Sequence, residues 1–361
     1  MAKIRVLVVE DSLTVRKRLC EVLACEPDIE VVGEAHDGKR AIELCLALRP
    51  NVVTLDMMLP VMSGLAATEY IMAHCPTPIL VVSASMNRGE VFKTYEALAA
   101  GAVDVLEKPH GDEGDGDWER RFVSTVKLVS RIAVITHLRG RLSAPPHWES
   151  QAPSSTARPG GQVRLVAIGA STGGPGAIVE LLRGLRPDFS LPLVFVLHIS
   201  SVFSSGFADW LDGQTGWRVA HPRDGEPYAS AAGRVVMAPP DVHLVVRGGR
   251  FRLTRDPERH SCRPSIDVLF ESIAAELGGA AAGCLLTGMG RDGAAGLLAL
   301  RRAGALTIAQ DEASSVVYGM PREAALLGAA ERVLPLGQIA RALDSLDPNA
   351  TAKRKSREDG R

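Results

Sequence analysis

The chain has 361 residues, 46% of them apolar and 23% charged, with 41 Lys and Arg against 42 Asp and Glu for a net charge of −1. That length accommodates two domains with full cores, and the charge balance excludes a broad nucleic-acid or membrane footprint. No signal-peptide pattern opens the chain, no run approaches 18 uninterrupted apolar residues, and none of the six cysteines forms a C-x-x-C pair; the expectation is a cytoplasmic protein without membrane insertion, its thiols free and mostly buried.

The first segment alternates β-rich runs with helical patterns. Candidate strands are Ile4–Val9, Ile29–Ala35, Val52–Asp56, Ile79–Ser83 and Val103–Glu107, separated by helical stretches such as Leu13–Ala24 and Lys39–Leu48. This alternation predicts a parallel sheet with helices on both faces, and such sheets carry their sites at the carboxyl ends of the strands. Those ends hold Glu10 and Asp11, then Asp56, then Ser83, then Lys108-Pro109. Clustered carboxylates repel unless a cation joins them, and hard oxygen ligands suit Mg²⁺. Asp56 can then accept a phosphoryl group whose oxygens are held by Lys108 and Ser83. Any one of these residues alone reads as a solvated strand end; five together read as a site.

Residues 143–162 are rich in Pro, Ser and Gly and have no periodicity, which marks a linker. The expected division is a first domain over 1–125, a helix and linker over 126–162, a second domain over 163–347 and a charged tail over 348–361. The tail's Lys353-Arg354-Lys355 reads as a solvated end.

In the second segment Val163–Ile168 is strand-like and leads into Gly169-Ala170-Ser171-Thr172-Gly173-Gly174-Pro175. A strand that ends in small residues around a serine and opens into a helix presents a hydroxyl. Leu193–Leu197 ends in His198, and Val235–Ala238 precedes Pro239-Pro240-Asp241. Ala281–Leu286 precedes Thr287-Gly288-Met289-Gly290-Arg291-Asp292-Gly293, and Ala305–Ala309 precedes Gln310-Asp311-Glu312. Ser171, His198 and Asp292 make a nucleophile, base and orienting acid. Singly, they read as a helix cap, a structural histidine and a turn residue. Gly169-x-Ser171-x-Gly173 fits a nucleophile elbow, but the acid follows the histidine, against the usual order of α/β-hydrolases. A dinucleotide loop fails because Ser171 fills the middle-glycine position, and a phosphate loop fails because no Lys follows. His260 and Cys262 offer two ligands for a shared metal, without a second pair to complete the set.

The strand-end set of the first segment resembles the response-regulator receiver domain over about residues 3–125. The resemblance implies a flavodoxin-like fold, Glu10, Asp11 and Asp56 at a Mg²⁺ site, phosphorylation of Asp56, and phosphoryl contacts from Ser83 and Lys108. Glu10 stands where Asp is more usual, and Val105 where many receivers carry an aromatic switch residue. In the second segment, residues 168–175, Arg263-Pro264-Ser265-Ile266-Asp267-Val268-Leu269-Phe270, residues 286–296 and Tyr318-Gly319-Met320-Pro321-Arg322-Glu323-Ala324 resemble the CheB methylesterase family. This implies a three-layer α/β/α doubly wound catalytic domain acting as a protein-glutamate methylesterase and glutamine deamidase. It implies Ser171 as nucleophile, His198 as base and Asp292 as orienting acid, with Thr172 beside the nucleophile and the Met289 backbone N–H at the oxyanion. Implied partners are methyl-accepting chemotaxis receptors and a CheA-type histidine kinase; no cofactor is implied for the ester chemistry. Leu197-His198-Ile199-Ser200-Ser201-Val202 departs from the family's usual Gln-His-Met-Pro run. Two rival readings follow from the same motifs: a phospho-gated binding module without esterase activity, and a DNA-binding output, against which stand the charge and the lack of a basic helix-turn-helix.

Overall fold

The computed structural model describes residues 3–84, 88–108, 116–132, 134 and 162–349. The chain divides into two compact units, split between Trp148 and Glu149. Of the expected linker over 143–162, residues 143–161 lie outside the described residues.

The first unit runs β1 (Ile4–Val9), α1 (Leu13–Ala24), β2 (Ile29–Ala35), α2 (Gly38–Leu48), β3 (Val52–Leu55), α3 (Gly64–His74), β4 (Ile79–Ser83), α4 (Arg88–Ala99), β5 (Asp104–Glu107) and α5 (Asp117–Val129). The strands pair in parallel in the order β2-β1-β3-β4-β5, the flavodoxin-like order. β3 and β4 are buried throughout because helices cover both faces, so they read as continuous apolar runs. Side-chain caps start three of the helices: Ser12, Asp37 and Ser63 accept from Val15, Arg40 and Ala66 N–H groups. On α5, Trp118 and Phe122 are buried and stacked 5.0 Å apart, and the Trp118 indole N–H donates to the Glu107 carbonyl at 2.7 Å. That bond ties the last helix to the last strand; truncating either ring costs about 3–5 kcal/mol.

The second unit begins with β6 (Leu165–Ala170), α6 (Gly174–Gly184), β7 (Leu193–Leu197), α7 (Ser201–Thr215), β8 (Val219–Ala220) and β9 (Val235–Met237). Next come β10 (His243–Arg247), β11 (Arg250–Thr254), α8 (Ile266–Leu277), β12 (Ala281–Leu285), α9 (Ala294–Arg302), β13 (Leu306–Gln310), α10 (Met320–Leu326), β14 (Arg332–Leu334) and α11 (Leu336–Asp344). A seven-stranded parallel sheet has the order β14-β13-β12-β6-β7-β9-β8. Helices α6, α7 and α11 pack together, as do α8, α9 and α10, giving a layer for each face. The chain leaves β6 toward β7 and later returns through β12 on the other side, so the order switches between β6 and β12. At such a point, successive connections diverge and leave a crevice beyond the strand ends.

Three differences from the sequence reading matter. β6 runs two residues later than expected, to Ala170, so Ser171 follows the strand directly. β5 begins at Asp104 rather than Val103. An antiparallel hairpin, β10–β11, joins the otherwise parallel unit. Its turn, Gly248-Gly249, has φ of 59° and 73° at the two glycines, as a tight hairpin turn requires.

Candidate functional site

In the first unit the rim sits where the strand order switches between β1 and β3. Glu10 and Asp56 end neighbouring strands and are 1% and 3% exposed. Lys108, just past β5, reaches both: its Nζ lies 2.8 Å from Glu10 Oε2 and 3.0 Å from Asp56 Oδ2. Carboxylate oxygens of Glu10, Asp11 and Asp56 lie within 4.8 Å of one another. Burial and the neighbouring Asp56 charge push the Glu10 carboxyl up to about 7, against the pull of Lys108. Burial works against the Lys108 ammonium, but Glu10 and Asp56 outweigh it and hold its pKa above the ordinary lysine value. The Ser83 hydroxyl is buried and has no hydrogen-bond partner among the described residues. A crowd of hard oxygens whose repulsion already shows in Glu10 fits Mg²⁺, and an orphaned hydroxyl fits an incoming phosphoryl oxygen. Glu10, Asp11, Asp56 and Lys108 come together at this rim, and Ser83 adjoins it through its carbonyl, which accepts from the Lys108 N–H at 2.9 Å.

In the second unit, β6 and β7 pair with Ala170 opposite Leu197, so the next residues, Ser171 and His198, leave adjacent strands side by side. The His198 backbone N–H donates to the Ala170 carbonyl at 3.0 Å, and that of Ser171 to the Thr287 carbonyl at 3.0 Å. The second bond holds the Thr287–Met289 loop against the serine. Gly288 makes the approach possible: a Cβ there would lie 2.8 Å from the Ser171 Cβ and 2.6 Å from Met320 Sδ. Gly173, at φ 76°, turns the chain into α6.

The His198 ring bonds the Asp292 carboxylate, Nε2 to Oδ2, at 2.9 Å. Nδ1 is the remaining ring nitrogen, and Cys262 Sγ lies 3.8 Å from it. Among the described residues no hydrogen bond joins the Ser171 hydroxyl to the ring. Asp292, 3% exposed, is seated on the first turn of α8. Its Oδ1 accepts from the Ser265 hydroxyl at 2.7 Å and the Asp267 N–H at 3.1 Å, and its Oδ2 accepts from the Ile266 N–H at 2.7 Å. Burial opposes the charge, but the imidazole and these donors hold the Asp292 pKa below the usual carboxylate value. Burial likewise opposes charge on His198, yet Asp292 and Cys262 raise it to about 9.

Thr287 is pinned by Gln310 Oε1, which accepts from its N–H at 2.8 Å, and by its own hydroxyl donating to the Thr172 carbonyl at 3.0 Å. The backbone N–H groups of Thr172 and Met289 have no acceptor among the described residues. Two free donors beside a hydroxyl suit a developing oxyanion. The supporting roles of Ser265 and Gln310 escaped the sequence reading. A serine capping a helix is an ordinary signal, and nothing local tells that it also bonds a carboxylate 27 residues away.

The class defined by this fold and these rims is a receiver unit joined to a doubly wound α/β unit with a serine–histidine–aspartate rim. Residues 6–114 match the model of the response regulator receiver domain, and residues 166–343 that of the CheB methylesterase. Similar proteins include a protein-glutamate methylesterase/protein-glutamine glutaminase of Anaeromyxobacter dehalogenans, 45% identical and covering 95% of this chain and 97% of the relative. Another is that of Nitrosospira multiformis, 43% identical with the same coverages. Among solved structures, the CheB methylesterase catalytic domain of Thermotoga maritima is 32% identical with a TM-score of 0.49, covering 51% of this chain and 99% of that one. The chain belongs to the CheB family of protein-glutamate methylesterases. No helix among the described residues is long and apolar enough to cross a membrane.

Proposed function

We propose that this methylesterase acts in the cytoplasm on methyl-accepting chemotaxis receptors, hydrolysing glutamate γ-methyl esters to release methanol and deamidating glutamines to release ammonia. The observation that carries the reading is the 2.9 Å bond from Asp292 to an imidazole one strand from Ser171. Since Asp292 holds Nε2, Nδ1 is the atom left to take the serine proton. Ser171 Oγ attacks the γ-carbonyl carbon as its proton passes to Nδ1, and the carbonyl electron pair becomes an oxyanion facing the Met289 and Thr172 N–H groups. Collapse expels methanol or ammonia, which carries off the Nδ1 proton. Water then attacks the acyl-enzyme, Nδ1 takes a proton from it, and glutamate leaves as Ser171 regains its hydrogen.

Control belongs to the receiver unit. Asp56 accepts a phosphoryl group from a CheA-type histidine kinase, with Lys108 and Ser83 contacting its oxygens. Glu10, Asp11 and Asp56 hold Mg²⁺, which when bound supplies positive charge to the carboxylate cluster. The phosphorylated form is the more active esterase.

The test uses methylated receptor membranes and a small phosphodonor. Ser171→Ala is expected to lose methanol release by about 10⁴-fold or more while still taking up phosphate on Asp56. Asp56→Asn is expected to keep its basal rate and show no response to the phosphodonor. Full turnover by the first variant removes the serine mechanism; activation of the second removes the phospho-switch.

A further inference from the structure

The sequence pairs His260 with Cys262 as a weak metal site, but the fold separates them. His260 directs Nε2 to Asp267 Oδ2 at 3.2 Å, and Arg291 Nε donates to its Nδ1 at 3.4 Å. Cys262 turns instead to the imidazole beside Ser171. A tight turn aims it there: His260 and Ser261 both have positive φ, 54° and 58°, and the Arg259 and Cys262 backbones exchange two hydrogen bonds across them. The thiol is half-buried, belongs to no disulfide, and also donates to the His260 carbonyl at 3.4 Å. Ligand atoms of His198, Cys262 and Asp292 lie within 4.8 Å of one another.

We propose that Cys262 Sγ and His198 Nδ1 form a binding site for Zn²⁺, or a similarly thiophilic divalent cation, whose occupation silences the esterase. The two atoms are 3.8 Å apart. A tetrahedral zinc with Zn–S of about 2.3 Å and Zn–N of about 2.0–2.1 Å separates its sulfur and nitrogen ligands by about 3.6 Å, so the pair is preset within about 0.2 Å. The cation takes a thiolate and a neutral imidazole, the protons of the Cys262 thiol and of His198 Nδ1 leave to solvent, and water fills the open positions. Asp292 does not ligate. Its oxygens already accept from Ser265, Ile266, Asp267 and His198. It stays on Nε2 as the outer partner that orients a metal-bound histidine.

Two consequences follow. Mg²⁺ avoids this site because it prefers oxygen to sulfur, so the carboxylate rim of the first unit and this thiol–imidazole pair select opposite cations. Binding also occupies Nδ1, the atom that receives the serine proton; inhibition rests on that reading of His198, whereas binding does not.

Co²⁺ serves as the spectroscopic probe on the full chain in excess Mg²⁺. Wild type and Ser171→Ala are both expected to show a thiolate-to-cobalt charge-transfer band in the near ultraviolet. Cys262→Ser is expected to lose the band, and Cys25→Ser, which removes the exposed cysteine, to keep it. In parallel, buffered Zn²⁺ is expected to stop wild-type methanol release reversibly on chelation. Cys262→Ser, measured against its own zinc-free rate, is expected to need at least tenfold more. A band that is absent in wild type, or that survives in Cys262→Ser, overturns the site. A wild-type band with undiminished turnover overturns the silencing. Since Ser171→Ala reports the band without turnover, failure of the esterase reading is told apart from failure of the metal site.

Discussion

With a pKa of about 9, the His198 imidazole is a cation at neutral pH, while a general base must be neutral. Under the proposed mechanism kcat/KM therefore rises with pH along a limb near 9. In Asp292→Asn the limb is expected to move toward the ordinary histidine value, because the hydrogen bond to Asp292 is the largest single influence favouring the cation. The rate is expected to fall by about 10⁴-fold, the cost of a lost orienting carboxylate. A pH profile of both forms checks this; an unmoved limb refutes it. Stability carries the opposite sense. A histidine raised from 6.5 to about 9 contributes fully below pH 6.5, and that contribution disappears as pH climbs through 9.

At the scale of elements, the strand ends were the legible part. Buried parallel strands read as apolar runs, and the polar residue that closes each run marks the rim; Ser171, His198, Asp56 and Ser83 are all found this way. The hairpin was not found. β10 is buried at four of its five positions, which erases the alternation that would announce a strand, and only Gly248-Gly249 signals the turn. Cys262 beside His198 was equally hidden, since 64 residues separate them and no local pattern encodes the meeting. The loop after β12 offers a direct test. Gly288→Ala puts a methyl 2.8 Å from the Ser171 Cβ, so something must shift. A displacement of about 1 Å costs about 10²-fold in rate. Steady-state kinetics are expected to show that loss in kcat, with circular dichroism unchanged; wild-type kcat would mean the loop gives way freely.

Across the whole molecule, each unit keeps its chemistry at the switch point of its own parallel sheet, and the two rims differ in electrostatic character. The first is an overcrowded carboxylate site. Glu10 raised to about 7 means that folding of this unit is favoured below pH 4.5 and loses that contribution as pH rises through 7. Calorimetry of the full chain is expected to show the receiver transition falling between pH 5 and pH 8. Mg²⁺ at a hundred times its Kd is expected to restore about 2.7 kcal/mol at the upper pH. A transition indifferent to both pH and Mg²⁺ would contradict the shift. The second rim is held by a helix: three groups from the opening turn of α8 grip Asp292. The strength of the imidazole as a base is therefore set partly by the seating of that turn. Tilting α8 by a fraction of an ångström would loosen that grip and retune proton affinity across the crevice, so this enzyme can be dimmed by leverage on a helix that supplies neither the nucleophile nor the base.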